Sequence, residues 1–151
     1  RVLYPSPQGI AWSQDYAEEN KSVEKIVIIC GHYKGVDQRV IDKYVTHEYS
    51  MGDFVLSCGE IPALMIIDSI VRLLPGVLNN INSSKTDTFS SELLDAPYYT
   101  QPREINGMQV PDVLLSGNHS KITDWKKEQQ IEITKSRRPD IWKKYLNNKS
   151  E

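Results

Sequence analysis

Three glycine-bearing loops hold most of the residues whose types suit chemistry. They are Ser6-Pro7-Gln8-Gly9, Cys30-Gly31-His32-Tyr33-Lys34-Gly35, and the run SMGDFVLSCGE from Ser50 to Glu60. Each abuts an apolar stretch, and the second follows directly on Ile26-Val27-Ile28-Ile29. Glycine at a strand's carboxyl end lets the backbone approach a ligand closely. The N–H and C=O groups there can then grip an adenine or a ribose. Neither GxGxxG nor GxxxxGK[ST] occurs, so neither a dinucleotide fold nor a P-loop follows. On the residues alone, a small-molecule pocket and ordinary turns both remain open.

Other reactive types are sparse. His32, His47 and His119 have neither HxxxH nor HExxH spacing, so metal catalysis lacks a motif. Cys30 and Cys58 are too few for a disulfide framework, lack metal-ligand spacing, and read as reduced, packed thiols. No G-x-S-x-G elbow is present. Asp68 and Arg72 are four apart and share a helix face, which suits a pair at a helix rim. Asp87 lies in the polar run 79–91; such a carboxylate is solvated, or is delivered to a site when its loop orders.

The elements expected to position these residues form an α/β pattern. Val2–Tyr4 reads as a short strand ended by Pro5 and the Ser-Pro-Gln-Gly turn. Ser13–Asn20 reads as an exposed helix, and Lys25–Cys30 as an unalternating strand of a parallel sheet covered on both faces. Val36–Val45 suits a short helix or turn, and Phe54–Leu56 a short strand. Ile61–Leu74 is apolar almost all round, with Pro62 in its first turn, which predicts a buried helix stopped by Pro75-Gly76. Residues 79–91 read as a linker and Leu93–Pro111 as irregular. Thr123-Asp124 is the expected cap of a helix to about Ser136, and Pro139 opens another to about Leu146.

Composition excludes other classes. The longest apolar runs fall well short of the roughly 18 residues a membrane span needs, so no membrane partner is expected. The first residues lack the apolar core of a signal peptide, which implies a cytoplasmic protein. The chain starts in a strand without an initiator Met, as a piece of a longer protein does. The net charge of −2 conceals an asymmetry: residues 121–150 hold nine basic against four acidic residues. With Trp125 and Trp142 interleaved, that stretch suits either nucleic-acid contact or a solvated helix surface.

Taken together and in order, six segments resemble the TrmD family of bacterial tRNA (guanine-N1)-methyltransferases, in the SPOUT superfamily. They are YPSPQG, IICGHYKGVDQRV, SMGDFVLSCGEIPALMIIDSIVRLLPGVL, DTFSSELLDAPYYTQP, VPDVLLSGNH and RRPDIW. The family's amino-terminal portion has no counterpart here. The resemblance implies an α/β fold with a trefoil-knotted parallel sheet, helices on both faces, and a small helical carboxyl-terminal domain. Its parts would be 1–78 for the cofactor, 79–92 as linker and 93–151 for tRNA. It further implies a homodimer with its active site at the subunit interface, S-adenosyl-L-methionine as cofactor, and Mg²⁺ as a possible requirement.

The same resemblance implies roles for residues. Tyr4, Ser6 and Pro7, then Gly31, Tyr33 and Gly35, then Met51, Gly52, Phe54, Leu56, Gly59 and Pro62 would wall the cofactor. Asp87 would take the proton from guanine N1, and Arg72 would steady charge building on O6 of the guanosine 3′ of the anticodon. Ser83, His119, Lys126, Arg137 and Arg138 would hold tRNA. His32 and Lys34 stand where the family usually has Arg and Glu, Cys58 where it usually has glycine, and Gln101 where it usually has arginine. Lys34 supports an alternative, a non-catalytic module that binds tRNA or cofactor. A third reading is a regulator that binds duplex DNA through its two basic helices.

Overall fold

The computed structural model describes residues 1–77, 88–89 and 92–149. The chain divides into two compact units, Arg1–Ser84 and Lys85–Glu151.

The first unit is α/β. Its described elements run β1 (Val2–Ala11), α1 (Gln14–Asn20), β2 (Val27–Ile28), α2 (Gln38–Tyr44), β3 (His47–Ser50) and α3 (Glu60–Val71). The strands form a parallel sheet in the order β2-β1-β3.

β1 does not end at Pro5. Pro5 and Ile10 both pair with Tyr49, so Ser6–Gly9 bulges out of the ladder before the strand resumes. Proline is tolerated because β2 pairs with β1 only at Val2 and Leu3, which leaves Pro5 a single neighbour strand. Gly9 lets the chain return, since a Cβ there would lie 2.5 Å from the Glu48 carbonyl carbon and the Tyr49 nitrogen.

Other sequence expectations need correction. The strand expected over Lys25–Cys30 shrinks to Val27–Ile28 at the sheet's edge, with Val27 exposed rather than covered. Phe54–Leu56 is no strand: its three apolar side chains are exposed in a loop. The strand of that region is β3, whose Tyr49 and Ser50 are buried against β1. α1 is not simply exposed, because Ala17 and Asn20 are buried beneath it.

The core gathers Leu3, Ala17, Tyr49, Ile66 and Ile70, with Trp12 and Tyr16 packed against it. Trp12 meets Tyr49 edge-on at 4.7 Å, and its Nε1–H donates to Ser69 Oγ of α3 at 3.0 Å. α3 is therefore anchored along one stripe only: Pro62, Ala63, Ile66 and Ile70 are buried. Ile61, Leu64, Met65, Ile67 and Val71 are exposed, against the expectation of a helix buried all round.

The second unit is mainly helical. Its described elements are a hairpin of β4 (Glu104–Ile105) and β5 (Met108–Gln109), then α4 (Asp112–Leu115), α5 (His119–Arg137) and α6 (Pro139–Asn148). The hairpin interrupts the region Leu93–Pro111, expected to be irregular, and α4 follows directly on that region. Asn106 and Gly107 take φ of +53° and +78°, the left-handed pair that a tight two-residue hairpin turn requires. α5 starts earlier than Thr123-Asp124. Asn118 caps it by accepting from the Lys121 amide at 3.2 Å, while Thr123 bonds back to the His119 carbonyl. α6 opens at Pro139 as expected. No helix among the described residues is long and apolar enough to cross a membrane.

Candidate cofactor cleft

The three loops leave the sheet on one side and wall a common cleft. One is the Ser6–Gly9 bulge of β1; the other two follow β2 and β3. Its volume is about 420 Å³, within the range of small-ligand sites. Tyr4, Ser6 and Pro7 line it from the first loop. Gly31, Tyr33 and Gly35 line it from the second. Met51, Gly52, Phe54, Leu56 and Gly59 line it from the third, and Pro62 from the first turn of α3. Every residue that the sequence resemblance assigned to the cofactor wall thus borders this one cleft.

Local bonds shape each loop. The Gln8 amide donates to Ser6 Oγ at 3.2 Å, which curls the bulge. Ser50 Oγ accepts from the Gly52 amide and donates to the Gly52 carbonyl, which holds the start of the third loop. The Gly59 amide donates to the Gly31 carbonyl at 2.9 Å, and His32 forms a backbone β-bridge with Cys58. A Cβ on Gly31 would sit 3.1 Å from the Tyr4 hydroxyl, so the second loop lies directly on that ring.

The cleft exposes apolar surface and mixed charge. Tyr33 has φ of +56° and a fully exposed ring, and Val55 is 86% exposed. A flat aromatic group can be covered by such faces. The charged and titratable side chains on the wall include His32, Lys34 and Glu48. His32 Nε2 lies 2.6 Å from Glu60 Oε1. That contact, with the Glu60 amide and Cys58 behind it, holds the Glu60 carboxyl below its ordinary range. Burial, then Glu60 and Cys58, push the Cys30 thiol up.

Some lining residues were not singled out from the sequence. Gln38 and Ile41 of α2 and Glu48 of β3 all reach the cleft. Gln38 and Ile41 are three apart, so one helix face carries both; nothing in the sequence tells which face turns to the loops.

The remaining candidate residues lie elsewhere. Arg72 caps the carboxyl end of α3, its amide donating to the Asp68 carbonyl; it is half-buried and is not among the residues lining the cleft. Asp87 and Ser83 lie outside the described residues. His119, Lys126 and Arg137 are exposed on α5 of the second unit. Arg138, between α5 and α6, clasps Asp140 through Nε at 2.9 Å and Nη2 at 2.6 Å. On the same pair of helices, Lys135 lies over the Trp142 ring at 4.7 Å, and Lys127 and Lys149 lie over Tyr145.

The family model described as tRNA (Guanine-1)-methyltransferase TrmD matches residues 1–144. A tRNA (guanine-N(1)-)-methyltransferase of Clostridioides difficile is 51% identical over 143 residues, 95% of this chain and 62% of the relative. One of Staphylococcus carnosus is 53% identical over 145 residues, covering 96% and 59%. One of Lachnospira eligens is 48% identical over 151 residues, covering 100% and 64%. The chain spans about three fifths of the length of the curated relatives it matches.

Proposed function

The chain belongs to the tRNA (guanine-1)-methyltransferase TrmD family, and on that premise we propose that it is the larger part of an enzyme that methylates N1 of guanine in tRNA. One observation supports this most: three loops on one side of the sheet border a single cleft of about 420 Å³.

S-adenosyl-L-methionine is the cofactor we assign to that cleft. The fit rests on backbone groups brought close by Gly31, Gly52 and Gly59 and on exposed aromatic faces at Tyr33 and Phe54. When bound, it supplies an already activated sulfonium methyl. The protein's own work is then limited. Asp87 accepts the N1 proton of guanine as general base, and Arg72 offsets the charge that builds toward O6. The loops hold the methyl donor still and exclude water. The substrate is the guanosine 3′ of the anticodon. Ser83, His119, Lys126, Arg137 and Arg138 are the residues we assign to tRNA.

The finer architecture belongs to the same proposal. The loops around the cleft form a SPOUT-type trefoil knot, with helices on both faces of the sheet. Residues 1–78 serve the cofactor, 79–92 connect, and 93–151 form the tRNA-binding domain of a cytoplasmic homodimer. The bare apolar face of α3 supports the dimer, since Ile61, Leu64, Met65, Ile67 and Val71 together suit burial against a second copy. Mg²⁺ stands apart. Among the described residues no three His, Cys, Asp or Glu side chains converge to hold a metal.

The test is single-turnover methylation of tRNA by the full-length protein. Asp87→Asn is expected to lower the rate by 10²-fold or more, the usual worth of a general base. An unchanged rate would remove Asp87 from the reaction. Lys34 favours a second reading, a module that binds without catalysing, because this basic residue borders the cleft beside Tyr33. On that reading the parent is inactive and Lys34→Glu restores turnover; robust activity with Lys34 in place refutes it.

A further inference from the structure

Cys30 and Cys58 sit on different loops that run side by side. The His32–Cys58 bridge is antiparallel, and the Gly59 amide bonds the Gly31 carbonyl at 2.9 Å. The approach is tight, because a Cβ on Gly59 would lie 2.8 Å from Cys30 Cα. Cys58 adjoins Gly59, so the two cysteines stand within one residue of that contact, and Cys58 is among the groups that push the Cys30 thiol up. His32 of the second loop also meets Glu60, two residues on from Cys58, at 2.6 Å. Both thiols are free and half-buried, and Cys58 borders the cleft.

We propose that Cys30 and Cys58 form a reversible dithiol site that reacts with low-molecular-weight disulfides of the glutathione type and closes to an internal disulfide between the second and third loops. Cys58, at the cleft, is reached first. Its thiolate attacks one sulfur of the reagent, forms a mixed disulfide and releases one thiol. Cys30 loses its proton and attacks Cys58 Sγ, the Cys30–Cys58 bond forms, and the second thiol leaves. Two protein thiols are oxidised by two electrons, and one reagent disulfide is reduced to two thiols. The raised Cys30 thiol suits the resolving role better than the attacking one. The site rests on loop geometry and is independent of the proposed methyl transfer.

The experiment treats the 151-residue chain with oxidised glutathione, in buffer and in concentrated urea at one pH. Samples are alkylated at intervals and read by intact mass and peptide mapping. Expected is a monomeric product lacking two hydrogens, mapped to Cys30–Cys58, that closes at least about tenfold faster in buffer than in urea. The fold would then raise the effective concentration of the thiols above that of a flexible loop. Cys30→Ser is expected to stop at a stable adduct on Cys58. Closure no faster in buffer than in urea, two separate stable adducts, or disulfide-linked dimers would each overturn the proposal.

Discussion

The amide of Gly59 donates to the carbonyl of Gly31 across 2.9 Å, and this bond joins two of the three loops that wall the cleft. A methyl on Gly59 would meet Gly31 N at 2.6 Å and Cys30 Cα at 2.8 Å. Those are backbone atoms and cannot rotate aside. Gly59→Ala is expected to destabilise the chain by about 2–3 kcal/mol and to abolish binding of S-adenosylhomocysteine. Urea denaturation and calorimetric titration read the two effects. Gly107→Ala is the contrast: open space surrounds it, and only its φ of +78° is penalised, by about 1–2 kcal/mol.

The two sides of α3 are expected to respond differently. Ile66 is fully buried, and Ile66→Ala should cost about 2–5 kcal/mol in urea unfolding. Leu64 is 63% exposed. Leu64→Asp should leave the fold intact yet shift sedimentation toward monomer if that face pairs with a second copy. An unaltered dimer would move the interface elsewhere.

Thr134 ties the irregular segment at Leu94 to α5. Its buried Oγ1 accepts from the Leu94 amide at 2.9 Å and donates to the Gln130 carbonyl at 2.6 Å. Thr134→Val keeps the volume but strands the Leu94 N–H. A loss of about 1–3 kcal/mol is expected, with faster amide exchange at Leu94.

Arg138 holds the Asp140 carboxyl down from 3.8 to about 2, chiefly by its side-chain hydrogen bonds. A depressed carboxyl contributes stability that is present above the unfolded value and is lost as pH falls through the folded one. The contribution should thus persist down to pH 3.8 and vanish by about pH 2. Carboxyl carbon shifts are expected to give a midpoint near 2 for Asp140, returning toward 3.8 in Arg138→Ala.

Local signals in the sequence proved sufficient where a few neighbouring residues decide the conformation. Pro139 opens α6 because a ring with no N–H suits only a helix's first turn. Asn106-Gly107 carries the left-handed angles of a two-residue hairpin turn, but the segment reads as irregular because the strands it joins are only two residues each. The cap of α5 was harder. Thr123-Asp124 is the expected cap, but Asn118, five residues before Thr123, is the residue whose side chain accepts from the helix's first turn.

The strands of the first unit resisted for a different reason. β3 reads His-Glu-Tyr-Ser and has no apolar run, whereas Phe54-Val55-Leu56 has one and lies exposed in a loop. Backbone pairing with β1 and the burial of Tyr49 decide which segment joins the sheet, and both are long-range. The composition of α3 could not say which of its apolar faces is covered. Trp12, reaching Ser69 from the end of β1, decides that.

By itself the sequence determined which loops carry glycine, where two helices begin or end, and the order of segments that places the chain in its family. Those features depend on residue type at fixed short spacing. Only the tertiary structure decided that three loops far apart in the chain border one cleft, that His32 meets Glu60, and that the Cys30 and Cys58 loops run side by side. Such meetings depend on parallel pairing between distant strands, whose register no local pattern encodes.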